Sequence, residues 1–296
     1  MIFPQFRAPV LLLVLGALMW PLSGTAADTS AAVVHRPGKF AWAELVTTDP
    51  DAVVNFYTKT FGWTARKADH GPEGYTLLFN AGRPVGGVAY RKADPGSKAP
   101  GGARWVGFIS VTDINQAVAA VTAASGHTLV APHQVAGRGW QAVVTDAEGS
   151  VFGLIVTDAG DAAKAKVADN DWAWVQLLAN RPADAAAFYE KALGYIVTDD
   201  ARTTRTDDFL LTHDGVTYAG LTPLPEGRGG RGGWLGYVKV AEVQATVDAA
   251  KALGAHVLFA PQTVPGAMQV AIITDPLGGA IGLVSVPAQV TGEAAK

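Results

Sequence analysis

The sequence predicts an α+β fold made of two tandem domains, and three observations carry that prediction. The string Phe40-Ala41-Trp42-Ala43-Glu44-Leu45, with Phe56-Tyr57 and Gly62-Trp63, returns as Trp172-Ala173-Trp174-Val175-Gln176-Leu177, Phe188-Tyr189 and Gly194-Tyr195 at an offset of 132. Residues 105–157 lie over residues 234–286 at an offset of 129, pairing Val111 with Val240, Pro132 with Pro261 and Thr145-Asp146 with Thr274-Asp275. Self-similarity at a fixed period marks duplicated structural units. Within each copy the apolar pattern runs strand, helix, three strands, and does so twice, so each domain reads as two βαβββ units. A hydrophobic fraction of 49% in 296 residues is enough for two cores of ordinary domain size.

Taken in order, residues 40–46 alternate as a strand. Asp49-Pro50 then opens a helix, with the acid at the N-cap and proline at the first helical position. Val53, Val54, Phe56, Tyr57 and Phe61 form one apolar face of that helix, and Gly62 ends it. Strands follow at 63–67, 75–80 and 85–90. Beyond a Gly/Pro/Lys-rich loop at 92–102 the order repeats: strand 105–111, helix 114–124, and strands near 128–130, 141–145 and 151–156. Domain 1 is therefore placed at residues 39–157 and domain 2 at 171–286. Between them, 158–170 is rich in Ala, Asp and Lys without aromatics and reads as a solvated linker.

The ends carry their own signals. Residues 1–27 read as a signal peptide, with Arg7 in a short positive region, an apolar run over 10–20, and small residues at Ser23-Gly24-Thr25-Ala26-Ala27 for cleavage after Ala26 or Ala27. The run is shorter than the roughly 20 residues that span a bilayer. The expectation is a periplasmic or secreted protein with no stable membrane anchor after cleavage. Residues 28–38 should be a flexible tether and 287–296 a fraying tail. A net charge of −3 without a basic block argues against nucleic acid as a partner, and the absence of cysteine means the exported chain relies on its cores without disulfides.

Two strings give these elements a family likeness. Trp42-x-Glu44-Leu45-x-Thr47-Thr48-Asp49 leading to Phe56-Tyr57 and Phe61-Gly62-Trp63, with Thr145-Asp146-x-x-Gly149-x-x-x-Gly153-Leu154 and its copy Thr274-Asp275-Pro276-x-Gly278-x-x-x-Gly282-Leu283, resembles the vicinal oxygen chelate superfamily. That superfamily comprises glyoxalase I, extradiol dioxygenases, and fosfomycin and bleomycin resistance proteins. The resemblance implies an eight-stranded, U-shaped sheet around a cleft in each domain, with helices outside. It also implies a divalent metal held in the cleft by His, Gln or Glu. The corresponding positions here are Trp42 and Trp174, Val106 and Leu235 or their neighbours, and Gly153 and Gly282. None offers a side-chain donor, so the expectation is no metal and no cofactor.

Strand alternation turns Trp42, Glu44 and Val46 to one face and Ala41, Ala43 and Leu45 to the other. The first set should face the cleft, as should Trp174 and Gln176, with Phe108 and Ser110, and Tyr237 and Lys239, lining it. Gly153 and Gly282 should leave open space where an acidic side chain would stand. The candidate ligand-binding residues are thus Trp42, Glu44, Phe108, Gly153, Trp174, Gln176, Tyr237 and Gly282. Aromatic walls with a few polar groups make a small-molecule pocket, but large aromatics also plug clefts as core, and both readings stay open. Glu44 is the one acid suggested for catalysis: buried beside Trp42 it would act as a general base, yet its counterpart is Gln176. His127 and His256 should contact exposed carbonyls at helix ends. His133 and His213 are matched by Gln262 and Asn80, so no shared metal site uses them. Gly137-Arg138-Gly139-Trp140 lacks a phosphate-cradling helix and reads as a loop whose Arg138 can gate the cleft.

The functional expectation is metal-free binding of a small aromatic or planar molecule by a chain that can act as a monomer, with catalysis left open. Two alternatives stand beside it. One is a metal-dependent lyase, isomerase or dioxygenase using unusual ligands such as Glu44 and His213; the other is an interaction protein with filled clefts.

Overall fold

The computed structural model describes residues 33–68, 74–92, 102–163, 166–225, 232–264 and 268–286. The signal peptide at 1–27 and the tail at 287–296 lie outside the described residues.

The first unit of domain 1 comprises β1 (Phe40–Thr47), α1 (Pro50–Phe61), β2 (Thr64–Lys67), β3 (Thr76–Asn80) and β4 (Arg83–Tyr90). The second comprises β5 (Arg104–Ser110), α2 (Ile114–Ala123), β6 (His127–Val135), β7 (Gly139–Thr145) and β8 (Val151–Thr157). Domain 2 repeats them as β9 (Trp172–Ala179), α3 (Pro182–Leu193), β10 (Ile196–Asp199), β11 (Phe209–His213) and β12 (Val216–Pro223), then β13 (Gly233–Lys239), α4 (Val243–Ala252), β14 (His256–Val264), β15 (Met268–Thr274) and β16 (Ala280–Ser285). Each domain folds its eight strands into one sheet, in the order β2-β3-β4-β1-β5-β8-β7-β6 and β10-β11-β12-β9-β13-β16-β15-β14. The units meet at the antiparallel pairs β1·β5 and β9·β13, while β1·β4 and β5·β8 run parallel. β6 is longer than expected. As an edge strand it tolerates Pro132, which a central strand would not.

Local signals set the helix limits. The Asp49 carboxylate accepts from the Ala52 N–H at 3.0 Å, Pro50 stands at the first helical position, and Gly62 closes α1 at φ 66°. In α3 the N-cap is Arg181, which supplies no side-chain cap. Domain 1 supplies one: the Glu148 carboxylate accepts from the N–H groups of Asn180 and Arg181 at 2.9 and 3.0 Å.

Alternation along β1 holds only after a bulge. Register moves from Phe40↔Ile109 to Trp42↔Phe108, which leaves Ala41 as the extra residue. Ala41, expected beneath the helix, therefore joins Trp42, Val46, Val106 and Phe108 on the opposite face. Phe40 turns to the helix side, where its ring lies 4.8 Å from that of Trp234.

The cores are shared between the domains. One buried cluster joins Val53, Phe56, Tyr57 and Phe61 of α1 to Val243, Val247 and Ala250 of α4 and to Ile281 and Leu283 of β16. The other joins Ile114, Ala117 and Val121 of α2 to Phe188 and Tyr189 of α3 and Leu221 of β12. The helices of each domain thus lie on the side away from Trp42 and Glu44, where α1 meets α4 and α2 meets α3. Two matching relays cross this interior. The Trp105 indole N–H donates to the Tyr57 hydroxyl at 2.8 Å, and Tyr57 donates to Asp275 at 3.0 Å. Trp234 donates to Tyr189 at 2.9 Å, and Tyr189 to Asp146 at 3.2 Å. Burial first, then the nearby carboxylate, pushes both phenols well above their usual range.

Within the described residues, the tether at 33–38 and both ends of the linker, at Asp161 and at 169–170, are docked rather than wholly solvated. Asp161 is buried and accepts from the Arg36 N–H at 2.7 Å, from Thr157 at 3.1 Å and from Ser110. At the far end Trp63 donates to the Asn170 carbonyl at 2.8 Å, and Asn80 to the Asp169 carbonyl at 2.9 Å. Ser110 and Lys239, expected to line clefts, are spent here, since Lys239 pairs with Asp169 at 2.7 Å. Charge and alanine content alone do not reveal such partners.

Each relay should be worth measuring by denaturant unfolding. Asp275→Ala and Asp146→Ala leave a buried phenol without its acceptor and are expected to cost about 1–3 kcal/mol each, against about 1 kcal/mol for Tyr57→Phe. Both domains should lose stability together in one transition, because each core contains side chains of both.

Candidate functional site

β1 and β5 bring the candidate residues of domain 1 together. Trp42 stands opposite Phe108 and Glu44 opposite Val106. Glu44 is largely enclosed, its side chain 15% exposed, and its Oε2 accepts from Arg138 Nη1 at 2.7 Å and from the Tyr75 hydroxyl at 3.0 Å. Arg138 also donates to the Tyr75 oxygen at 2.6 Å. Its guanidinium carbon lies 4.5 Å from the centroid of the Tyr75 ring and 5.5 Å from that of Trp42. The arginine is thus a planar cation held between two aromatic faces, with a carboxylate at its edge. It reaches this slot from a turn whose flanking glycines, Gly137 and Gly139, hold φ of 73° and 116°. Burial, and then the Glu44 charge, raises the Tyr75 phenol far above its usual range, so it stays a neutral donor.

Two donors on this face lack a well-formed hydrogen bond among the described residues. The buried Trp42 indole N–H has only the neighbouring Tyr75 hydroxyl, in poor geometry, and the buried Gln141 amide nitrogen has no acceptor. Gln141 alternates with Ala142 and shares the face of Val143, which packs beside Trp42 and Phe108. Buried donors without partners are costly, so they favour a guest that accepts hydrogen bonds.

Domain 2 satisfies itself. Trp174 donates to the Gln176 carbonyl at 2.8 Å, and that oxygen stands 2.4 Å from where a Cβ on Gly220 would lie. In domain 1 the corresponding space above Gly87 holds the Tyr75 hydroxyl, 1.7 Å from such a Cβ. The repeat puts Asp208 where Tyr75 stands; Asp208 turns away and accepts from Thr222. It puts Ala267 where Arg138 stands. Arg202 lies 5.6 Å from the Trp174 ring, bonded to Asp200 at 2.7 Å from an exposed loop. Sequence reasoning passed over Tyr75, although a glycine inside a strand signals the close approach of another group, and Gly87 marks this one.

The space expected above Gly153 and Gly282 is filled. Each pairs with an aromatic on the parallel neighbour, Phe108 and Tyr237. A Cβ on Gly153 would come 2.1 Å from the Phe108 ring, and one on Gly282 2.2 Å from the Tyr237 ring. Burial pushes the Tyr237 phenol up to about 12. These glycines exist so that the rings can lie flat on the strand.

The metal that the family likeness implies does not fit. The positions that would supply ligands hold Trp42, a buried Val106, and a Gly153 whose side-chain space is a phenyl ring. No group of three or more His, Cys, Asp or Glu side chains gathers among the described residues. Glu44 and His213 do not meet: Glu44 is bonded within sheet 1, whereas His213 stands 3.3 Å from Asp214 in β11, beside Tyr195. As a general base Glu44 has its Oε2 engaged twice. His127 and His256 are exposed first residues of β6 and β14, and the carbonyls they were expected to meet are closed by main-chain bonds from Gly126 and Ala255. Exposed His133 contacts the Ala131 carbonyl at 3.0 Å.

Comparison with known proteins adds the relatives. Residues 39–154 and 172–282 each match the family model described as Glyoxalase/Bleomycin resistance protein/Dioxygenase superfamily. The anthracycline biosynthesis protein DauV of Streptomyces sp. (strain C5) is 30% identical over 260 residues, covering 84% of this chain and 94% of that one. The putative glyoxylase CFP32 of Mycobacterium bovis is 27% identical over 246 residues, covering 82% and 93%. Among solved structures, the Mn(II)-bound glyoxalase from Novosphingobium aromaticivorans superposes with a TM-score of 0.59 at 16% identity, covering 85% of this chain and 83% of that one. The 2,3-dioxygenase LapB from Pseudomonas sp. KL28 gives 0.56 at 13%, covering 86% and 92%. These two likenesses are of fold.

Restoring a side chain at Gly153 tests the packing reading. Gly153→Ala is expected to cost about 1–3 kcal/mol by displacing the Phe108 ring, and Phe108→Ala in the same chain should recover part of it in denaturant titrations.

Proposed function

The chain belongs to the glyoxalase/bleomycin resistance protein/dioxygenase superfamily, and from that premise we propose that it binds a small planar aromatic molecule in the domain 1 cleft without a metal. The observation that carries this reading is the seat of Arg138. A slot between Trp42 and Tyr75 that already holds a flat cation against Glu44 has the shape and charge to hold another. The guest preferred is therefore a planar aromatic cation, or one with hydrogen-bond donors for Glu44, carrying an acceptor for Trp42 or Gln141. Arg138 acts as the gate, leaving the slot as the guest enters. The names of two relatives point the same way: DauV and DnrV are called anthracycline biosynthesis proteins, and an anthracycline is a planar polycyclic aromatic. The domain 2 cleft, with Trp174 and Gln176 bonded to each other, is the poorer host.

Proflavine, a flat aromatic cation, is a suitable probe by tryptophan quenching. Arg138→Ala should tighten binding by removing the competitor, and Glu44→Gln should cancel that gain. Trp42→Ala should weaken binding by about 1–3 kcal/mol. Prior dialysis against a chelator should change nothing. Affinities indifferent to all three substitutions, or lost on chelation, would reject the reading.

Export belongs to the proposal as well. It rests on the apolar run and the small residues around Ala26. N-terminal sequencing of protein recovered from a periplasmic fraction should begin at Ala27 or Asp28; a protein retained whole in the cytoplasm would reject export while leaving the cleft reading untouched.

A further inference from the structure

A cavity of about 450 Å³ lies at the seam of the two domains, within the usual range of roughly 300–1,000 Å³ for ligand pockets. It touches Trp42 and Trp174 at its edges, but Glu44, Tyr75 and Arg138 are not among its walls. β4 pairs with β1 only from Glu44 onward, and β12 with β9 only from Gln176 onward, so the first halves of β1 and β9 keep an edge that neither strand covers. Those edges border the cavity, with Phe40, Trp105, Trp172 and Trp234 as walls. The walls are set in place. Trp105 and Trp234 are bonded to Tyr57 and Tyr189, and Trp172 donates to the Val85 carbonyl at 2.6 Å. A preorganised aromatic cavity loses little ordering entropy when it binds.

Its shape follows the repeat but its charge does not. Phe40 answers Trp172 and Trp105 answers Trp234, whereas Lys39 stands where the second copy has Asp171, and Arg36 where it has Ala168. Arg36, Lys39 and Lys166 line the cavity, and the charged side-chain group of none of them forms an ion pair within 4.0 Å among the described residues. The Arg36 Nε is buried without a hydrogen-bond partner, and Lys39 donates to the Ala162 carbonyl alone. The nearby acids are already engaged: Asp161 by Ser110, Thr157 and the Arg36 main chain, and Asp171 by Asn80 and Arg83. The Asp161 charge still acts on Lys39, so the apolar chamber is left with an excess of positive charge at one end, from Arg36, Lys39 and Lys166.

We propose that this seam cavity is a second binding site, for an aromatic anion whose ring system lies among the tryptophans and whose acidic group meets Arg36 and Lys39. The site joins both domains through the docked linker.

The test uses 1-anilinonaphthalene-8-sulfonate, fluorescent in apolar sites, and N-phenyl-1-naphthylamine, which has the same rings without the sulfonate. Both are titrated into the full chain. Arg36→Ala, which keeps the main-chain bond to Asp161, and Lys39→Ala should each weaken the sulfonate by about tenfold while moving the amine by no more than about twofold. Arg36→Lys should recover part of the loss. Ala163→Trp, placed on the exposed linker at the cavity mouth, should weaken both probes. Unchanged melting temperatures identify the variants that fold. Arg138→Ala and Glu44→Gln should leave the sulfonate unaffected. Sulfonate binding that ignores the seam variants overturns the proposal; if it then responds to Arg138→Ala, the anion sits in the cleft, and proflavine binding judges the cleft reading separately.

Discussion

The rest of the structure depends on two cores that neither domain completes alone. Each βαβββ unit carries one amphipathic helix and one half of a sheet, which leaves an apolar helix face to cover. The first unit of domain 1 covers its helix with the second unit of domain 2, and the reverse pairing covers the others. Burying four helices between two sheets would strand polar groups. The Trp–Tyr–Asp relays answer this by giving each buried phenol both a donor and an acceptor, the acceptor in each case coming from the other domain.

With the helix faces committed to the interior, the concave surface left open lies on the opposite faces and at the seam. Duplication makes the clefts equal in backbone and unequal in chemistry. A Glu and a Gln at one register position make part of the difference, and Tyr75 and Arg138, answered by Asp208 and Ala267, make the rest. Glu44 draws Arg138 and Tyr75 to itself and leaves the Trp42 and Gln141 donors without a well-formed bond among the described residues, whereas Gln176 satisfies Trp174 directly. Similar asymmetry at the seam puts Lys39 opposite Asp171.

The misfit of the family's metal to these positions is a matter of packing as much as of missing donors. Once Phe108 and Tyr237 lie across Gly153 and Gly282, no side chain long enough to reach the cleft can stand on those glycines without moving a ring. The fold shared with a manganese glyoxalase and with LapB is kept while the ligand positions have become aromatic surface.

Much of the architecture was legible because it is local. Asp49-Pro50 and Gly62 bracket α1, alternation marks the strands, and the repeat offsets forced two domains. Trp42 and Glu44 were placed on the cleft face by counting in twos, which is sound wherever the ladder is regular. The bulge at Ala41 lay beyond such counting, since a bulge belongs to the pairing of β1 with β5 and not to either strand. Arg138 and Tyr75 meet Glu44 across 94 and 31 residues, and the linker's carboxylates find their partners only once both sheets exist. Gly153 was read as empty space for the same reason: a missing Cβ is visible in the sequence, but which ring fills the place is decided by the strand that comes to lie beside it.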